Sequence, residues 1–117
     1  MKVLIMDGQE KRRDQIKDAI EKNQHEVIDC YSSNDFMVNV QENEPGLLVL
    51  DMDTWKKGKS IYNYFRVGNK LENLPIVLYN AEEDTFFIPD RDRHEKDRIL
   101  PKSTDVETIA DTVQQCL

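Results

Sequence analysis

The sequence contains few of the residues that mark several large classes of protein. Its 117 residues include only two cysteines and four glycines. The apolar stretch that stops at Asp7 is too short for a secretory leader, so we expect a reducing environment. Cys30 and Cys116 are therefore expected to be reduced thiols and not part of a disulfide framework. The glycines do not form a phosphate-binding loop after a strand. No apolar run approaches the roughly eighteen residues that a membrane span requires.

Basic charge is scarce relative to acidic charge. Sixteen Lys and Arg residues stand against 23 Asp and Glu residues, which gives a net charge of −7. Nucleic-acid binding through phosphate contacts needs a basic face, so this balance argues against a nucleic-acid partner. The length is that of a single domain, and we expect residues 1–117 to form one cytoplasmic unit.

Short apolar runs separated by helical segments indicate the fold class. Runs without polar alternation are typical of strands covered on both faces of a parallel sheet. Weaker strands are predicted at 26–31 and 98–100, and apolar stripes at helical spacing lie between the strands, which predicts a doubly wound α/β domain. The segment 82–98 contains Pro89 and lacks an apolar stripe in its second half, so the fourth helix is expected to be short or irregular. The three strong runs are Val3–Met6, Leu47–Leu50 and Ile76–Tyr79.

Polar residues follow the predicted strands at one edge of the sheet. The carboxyl ends of parallel strands meet at the same edge, where ligands usually bind. This rule brings together Asp7, Asp51, Asn80 and Lys102. Carboxylates there could hold Mg²⁺, the lysine could neutralise phosphoryl oxygens, and a carboxylate beside the metal could itself accept a phosphoryl group.

Four blocks carry a resemblance to a known family. They are Val3–Asp7, Leu48–Asp53, Pro75–Ala81 and Leu100–Lys102. In order and spacing they resemble the blocks of CheY-like response-regulator receiver domains, over the full length of the chain. The resemblance implies a flavodoxin-like sheet of five parallel strands in the order 2-1-3-4-5, flanked by helices. It also places Asp51 at the phosphoacceptor position, Asp7 at the first acidic position and Lys102 at the invariant lysine.

Several switch positions depart from the family pattern. Gly8 stands where the family has a second acidic residue, so the Mg²⁺ site implied for Asp7, Asp51 and Asp53 is weakened or absent. Asn80 replaces a threonine or serine, and Ile99 replaces the aromatic switch residue. Ser103 and the residues before the last strand also depart from the pattern. These departures resemble those of an atypical receiver, or pseudo-receiver. In such a site we expect Lys102 to form a structural ion pair with Asp51.

The function implied by the resemblance is signalling through protein contacts and not catalysis. We expect a domain of bacterial two-component signal transduction that binds a histidine kinase or an output protein without being phosphorylated. One alternative is a phosphorylation-competent receiver with Asp51 as acceptor. A remote alternative is a small aspartate-nucleophile phosphatase that uses Asp51 and Asp53, although too little chain follows for that fold.

Three aromatic residues are candidates for a partner surface. Phe86 and Phe87 lie beside the charged stretch at 90–98, and Trp55 follows the predicted site. Each could instead be packed in the core, which is the more common use of a tryptophan. The sequence leaves both alternatives open.

Overall fold

Five parallel strands, numbered along the chain, form one sheet in the order 2-1-3-4-5, which confirms the predicted topology. The computed structural model describes residues 1–32, 36–55, 73–81 and 95–117. The strands are β1 (Lys2–Met6), β2 (Glu26–Cys30), β3 (Leu47–Asp51), β4 (Ile76–Ala81) and β5 (Arg98–Pro101). The helices within these ranges are α1 (Glu10–Glu21), α2 (Phe36–Asn43) and α3 (Val106–Gln115).

Some of the sequence predictions lie outside the described residues. They include most of the helical segment predicted between the third and fourth strands, the altered fourth helix, and the candidate partner residues Phe86 and Phe87. In the part of the chain that is described, no helix is long and apolar enough to cross a membrane.

The three central strands are buried on both faces, as their unbroken apolar runs predict. Successive side chains of a strand point to opposite faces, so each strand contributes to two separate cores. One core includes Leu4, Leu48 and Leu78, and the other includes Val3, Val49 and Val77. Both cores exclude solvent at these positions.

The helices cover the two faces with short apolar stripes. α1 buries Ile16 and Ile20, and α3 buries Ile109 and Val113, all in the same core. α3 begins at Asp105, whose carboxylate accepts a hydrogen bond from the backbone N–H of Thr108 at 2.7 Å.

Trp55 belongs to the core and not to an exposed surface. It is 6% exposed and packs with its ring at 85° to that of Phe36, with 6.2 Å between the ring centroids. Of the two roles that the sequence left open for Trp55, the structure therefore shows core packing.

The register of the sheet assembles the candidate site. Met6 pairs with Leu50, and Asp51 pairs with Tyr79. Asp7, which follows Met6, therefore lies at the same edge as Asp51 and Asn80.

Candidate functional site

Two buried carboxylates form the centre of the site. Asp7 is 0% exposed and Asp51 is 1% exposed. A buried carboxylate is stable only if hydrogen bonds or positive charges replace the water that it has lost. The partners of these two side chains therefore decide what the site can do.

Arg12 bridges the two carboxylates. Its Nε lies 2.6 Å from Asp7 Oδ2, and its Nη2 lies 2.9 Å from both Asp7 Oδ1 and Asp51 Oδ2. The contact with Asp7 is bidentate, the geometry in which a guanidinium binds a carboxylate most strongly. Arg12 is the third residue of α1, and helical side chains lean toward the amino end of their helix. This direction takes the guanidinium back to the sheet edge where α1 begins.

Asp7 also accepts hydrogen bonds from a side chain of β4 and from the backbone two residues further along the chain. The Tyr79 hydroxyl donates to Asp7 Oδ2 at 2.6 Å, and the backbone N–H of Gln9 donates to Asp7 Oδ1 at 2.8 Å. Burial by itself would raise the pKa of Asp7, but the hydrogen bonds from Arg12, Tyr79 and Gln9, with the charge of Arg12, hold that pKa below its ordinary value.

The pKa values of Tyr79 and Arg12, which donate to Asp7, are raised. Burial and the hydrogen bond to Asp7 raise the pKa of Tyr79 far above that of a free phenol. The hydrogen bond to Asp7 is also the main cause that raises the pKa of Arg12. At neutral pH the phenol is therefore neutral and the guanidinium is charged.

Asp51 is held by three donors besides Arg12. Thr54 Oγ1 donates to Asp51 Oδ2 at 2.6 Å, and Asn80 Nδ2 donates to Asp51 Oδ1 at 2.9 Å. The backbone N–H of Asp53 donates to Oδ1 at 3.2 Å. Each of the four carboxylate oxygens of Asp7 and Asp51 thus accepts two hydrogen bonds. An ionised carboxylate has about four acceptor positions, so the capacity of both groups is filled.

Asn80 adopts an uncommon backbone conformation. Its φ is 56°, and it lies where the register between β4 and β5 shifts. Asparagine tolerates the left-handed region better than most residues, whereas a β-branched residue is strained there. Asparagine at this position therefore suits the local backbone as well as the hydrogen bond to Asp51.

Gly8 is packed closely against Thr54. The backbone N–H of Gly8 donates to Thr54 Oγ1 at 2.8 Å, and a Cβ at Gly8 would lie 3.2 Å from that oxygen. Thr54 thus connects Gly8 to Asp51.

Lys102 and Asp53 form an ion pair at the rim of the site. Lys102 Nζ lies 3.4 Å from Asp53 Oδ1, and the side chains are 53% and 55% exposed. The sequence suggested a pair between Lys102 and Asp51, but the ion pair in the structure is with Asp53. Exposed pairs of this kind contribute little to stability. Ile99, which the resemblance assigned to the aromatic switch position, is half-buried against the core that contains Trp55.

The buried residues do not fit a divalent cation. Mg²⁺ needs oxygen ligands with free lone pairs in a nearly octahedral arrangement. The oxygens of Asp7 and Asp51 are filled by other donors, a guanidinium lies between them, and Gly8 offers no side-chain ligand. Within the described ranges, no group of three His, Cys, Asp or Glu residues is arranged to hold a metal.

Sequence reasoning placed Asp7, Asp51 and Asn80 together but missed Arg12 and Tyr79. The signal for Arg12 is an arginine in the first turn of the helix that follows Asp7. The signal for Tyr79 is a hydroxyl-bearing residue at the end of an otherwise apolar strand.

Comparison with known proteins identifies the fold. No family model matches the sequence, and no curated protein matches it. Among solved structures, the chemotaxis response regulator CheY4 of Vibrio cholerae superposes with a TM-score of 0.78 at 17% identity, covering 99% of this chain and 98% of that one. A two-component response regulator from Clostridium difficile gives 0.77 at 18% identity, covering 99% and 94%.

A third solved structure gives the same result. The signal receiver domain of a response regulator from Bermanella marisrubri superposes with a TM-score of 0.79 at 16% identity, covering 98% of this chain and 96% of that one. The chain therefore has the fold of CheY-like receiver domains, as the sequence blocks predicted.

Proposed function

We propose that this chain is a receiver-fold domain of two-component signalling that binds a protein partner without phosphorylation of Asp51. The receiver fold supports the general role, because solved structures with this fold include response regulators. The absence of phosphorylation in this proposal is supported by the Asp51 carboxylate, which is buried and accepts four hydrogen bonds.

Phosphoryl transfer to Asp51 would require one carboxylate oxygen to act as a nucleophile. The attacking oxygen must present a lone pair in line with the leaving group. Oδ1 is occupied by Asn80 and the Asp53 N–H, and Oδ2 is occupied by Arg12 and Thr54. Attack from either oxygen first requires the loss of a buried hydrogen bond, which raises the barrier.

The charge balance of the site also disfavours a phosphoryl group. A phosphoryl group adds about 1.5 to 2 negative charges near neutral pH. Asp7 keeps its own negative charge beside Asp51, and the guanidinium of Arg12 is shared between the two. We expect these contacts to hold one arrangement of the sheet edge, which a partner recognises directly and which a phosphoryl donor does not shift.

This role involves no catalysis by the domain. Residues 1–117 act as one cytoplasmic binding unit in the proposal, and the partner is a histidine kinase or an output protein. A phosphorylation-competent receiver and an aspartate-nucleophile phosphatase are the competing functions that an experiment must distinguish.

Intact-mass spectrometry after incubation with acetyl phosphate and Mg²⁺ tests the proposal. The wild-type chain is expected to gain no phosphoryl group under conditions that fully modify a typical receiver domain. Asp51→Asn is the matched control, since it keeps the shape of the side chain but removes the acceptor. A phosphoryl adduct in wild type that is absent in Asp51→Asn would overturn the proposal in favour of the phosphorelay. Steady turnover of p-nitrophenyl phosphate that is lost in Asp51→Asn would overturn it in favour of the phosphatase.

A further inference from the structure

We infer that Arg12 is the resident cation of this pocket and that its guanidinium excludes divalent metal ions from the two carboxylates. This inference rests on the proposed function, in which Asp51 is not phosphorylated. It names the group that balances the negative charges of Asp7 and Asp51. It assigns to a side chain the position between Asp7 and Asp51 where the family resemblance implies a metal.

The contacts of Arg12 match a site built for a guanidinium. Two nitrogens face Asp7 and one of these also reaches Asp51, with all three distances between 2.6 and 2.9 Å. The Arg12 Cζ lies 5.7 Å from the centroid of the Tyr79 ring, within the range of a cation–π contact. A planar guanidinium can form a bidentate ion pair and contact an aromatic ring at once, which a hydrated metal ion cannot do.

Tyr79 contributes to this site with both parts of its side chain. The ring contacts Arg12 while the hydroxyl donates to Asp7, so one residue supports the cation and the anion of the same pair. Tyr79 is fully buried, which fixes the ring in place beside the guanidinium.

A divalent ion would have to displace Arg12. The carboxylate oxygens have no acceptor position left, and the ion would face the positive charge of a guanidinium at close range. Arg12 is 24% exposed, although its charged end contacts two carboxylates that are buried. Truncation of this side chain would therefore open the pocket from the solvent side without removing a core residue.

Chemical rescue of a truncated arginine tests the inference. In Arg12→Ala, ethylguanidinium replaces the missing atoms, and at concentrations below those that denature proteins it is expected to raise the Tm of this variant. Lys11→Ala is the matched control, because Lys11 is an exposed residue of the same helix turn. We expect no such rise in Lys11→Ala or in wild type. A folded Arg12→Ala that ethylguanidinium does not stabilise more than Lys11→Ala would overturn the inference.

A metal titration covers the case in which Arg12→Ala does not fold. Trp55 is the only tryptophan, and its backbone N–H donates to the carbonyl oxygen of Asp51, so its fluorescence reports on the pocket. Wild type is expected to show no saturable change with millimolar Mg²⁺ or Mn²⁺. Saturable binding that is lost in Asp51→Asn would overturn the inference.

The metal titration gives a result that is independent of the phosphorylation test of the proposed function. Metal binding is measured by fluorescence and phosphorylation by mass. A chain that is phosphorylated but binds no metal would refute the proposed function and leave Arg12 as the resident cation. A chain that binds Mg²⁺ but is not phosphorylated would do the reverse.

Discussion

Replacing Tyr79 by phenylalanine removes a single oxygen atom from the centre of the buried network. The Tyr79 hydroxyl donates to Asp7 Oδ2 at 2.6 Å, and both residues are fully buried. In Tyr79→Phe the ring and its contact with Arg12 remain, so the change isolates the hydrogen bond to the carboxylate.

The expected loss of stability follows from the charge of the acceptor. A hydrogen bond to an ionised group contributes about 1.5 to 3 kcal/mol, because its loss leaves a charged oxygen without a partner and without water. Asp7 keeps three donors, two from Arg12 and one from Gln9, which limits the loss. We therefore expect Tyr79→Phe to lower the free energy of unfolding by about 2 kcal/mol at neutral pH.

The pH dependence of the unfolding free energy provides a second test of this hydrogen bond. The pKa of Asp7 is lowered in the folded state, so its contribution to stability is complete above the unfolded pKa of about 3.9. That contribution is lost as the pH falls through the lower folded-state pKa. Because Tyr79→Phe removes one cause of the lowering, the folded-state pKa of Asp7 should be higher in the variant than in wild type. The difference in stability from wild type should therefore shrink as the pH falls through the folded-state pKa of the variant.

Urea denaturation followed by circular dichroism from pH 7 down to pH 3 measures both quantities. Tyr31→Phe is the control, since Tyr31 is 66% exposed and should change the unfolding free energy by less than about 0.5 kcal/mol. A Tyr79→Phe variant as stable as the Tyr31→Phe control at pH 7 would refute the argument. So would an acid-dependent loss of stability that ends at the same pH in Tyr79→Phe as in wild type.

Three further substitutions test other parts of the structure. Trp55→Ala should cost about 3 to 5 kcal/mol in thermal or urea unfolding, because it removes a buried ring packed against Phe36; a near-neutral result would place Trp55 on a surface instead. Asp97→Ala should cost about 1 to 3 kcal/mol, since Asp97 Oδ1 accepts from the backbone N–H of Ile76 at 2.7 Å, whereas Asp97→Asn, which keeps an acceptor oxygen, should cost less. Asn80→Thr should destabilise the domain by about 1 to 3 kcal/mol because its φ of 56° strains a β-branched residue. Asn80→Gly, which accepts this φ, serves as its comparison, and equal stability of the two variants would contradict the strain argument.

The sheet was predictable because burial on both faces leaves a direct trace in the sequence. The runs at 3–6, 47–50 and 76–79 are apolar without alternation, which is the pattern of strands covered on both faces at the centre of a parallel sheet. The topological rule for parallel strands then brought Asp7, Asp51 and Asn80 to one edge.

The partners of these residues were less predictable, because they depend on how neighbouring elements are oriented. The sequence places Arg12 on α1, but its contact with Asp51 depends on the angle at which that helix leaves the sheet. Lys102 follows β5, whose register with β4 shifts, and it pairs with Asp53 and not with Asp51 as suggested. A shift of one position changes which side chain a residue meets.

The buried network connects residues that are far apart in the sequence, and this has a consequence for how the domain folds and unfolds. Tyr79 and Asp7 are 72 positions apart, and Arg12 and Asp51 are 39 apart. These contacts can close only after β1, β3 and β4 have paired, so we expect them to be absent from the folding transition state. Weakening them should then leave the folding rate unchanged.

The effect should appear entirely in the unfolding rate. A loss of about 2 kcal/mol in Tyr79→Phe corresponds to roughly thirty-fold faster unfolding if none of it is felt in the transition state. Stopped-flow chevron plots of wild type and Tyr79→Phe measure both rates, and a slower folding arm would show that the network belongs to the nucleus. We thus expect the buried network to determine how long the folded domain persists, and the pairing of the apolar strands to determine how quickly it forms.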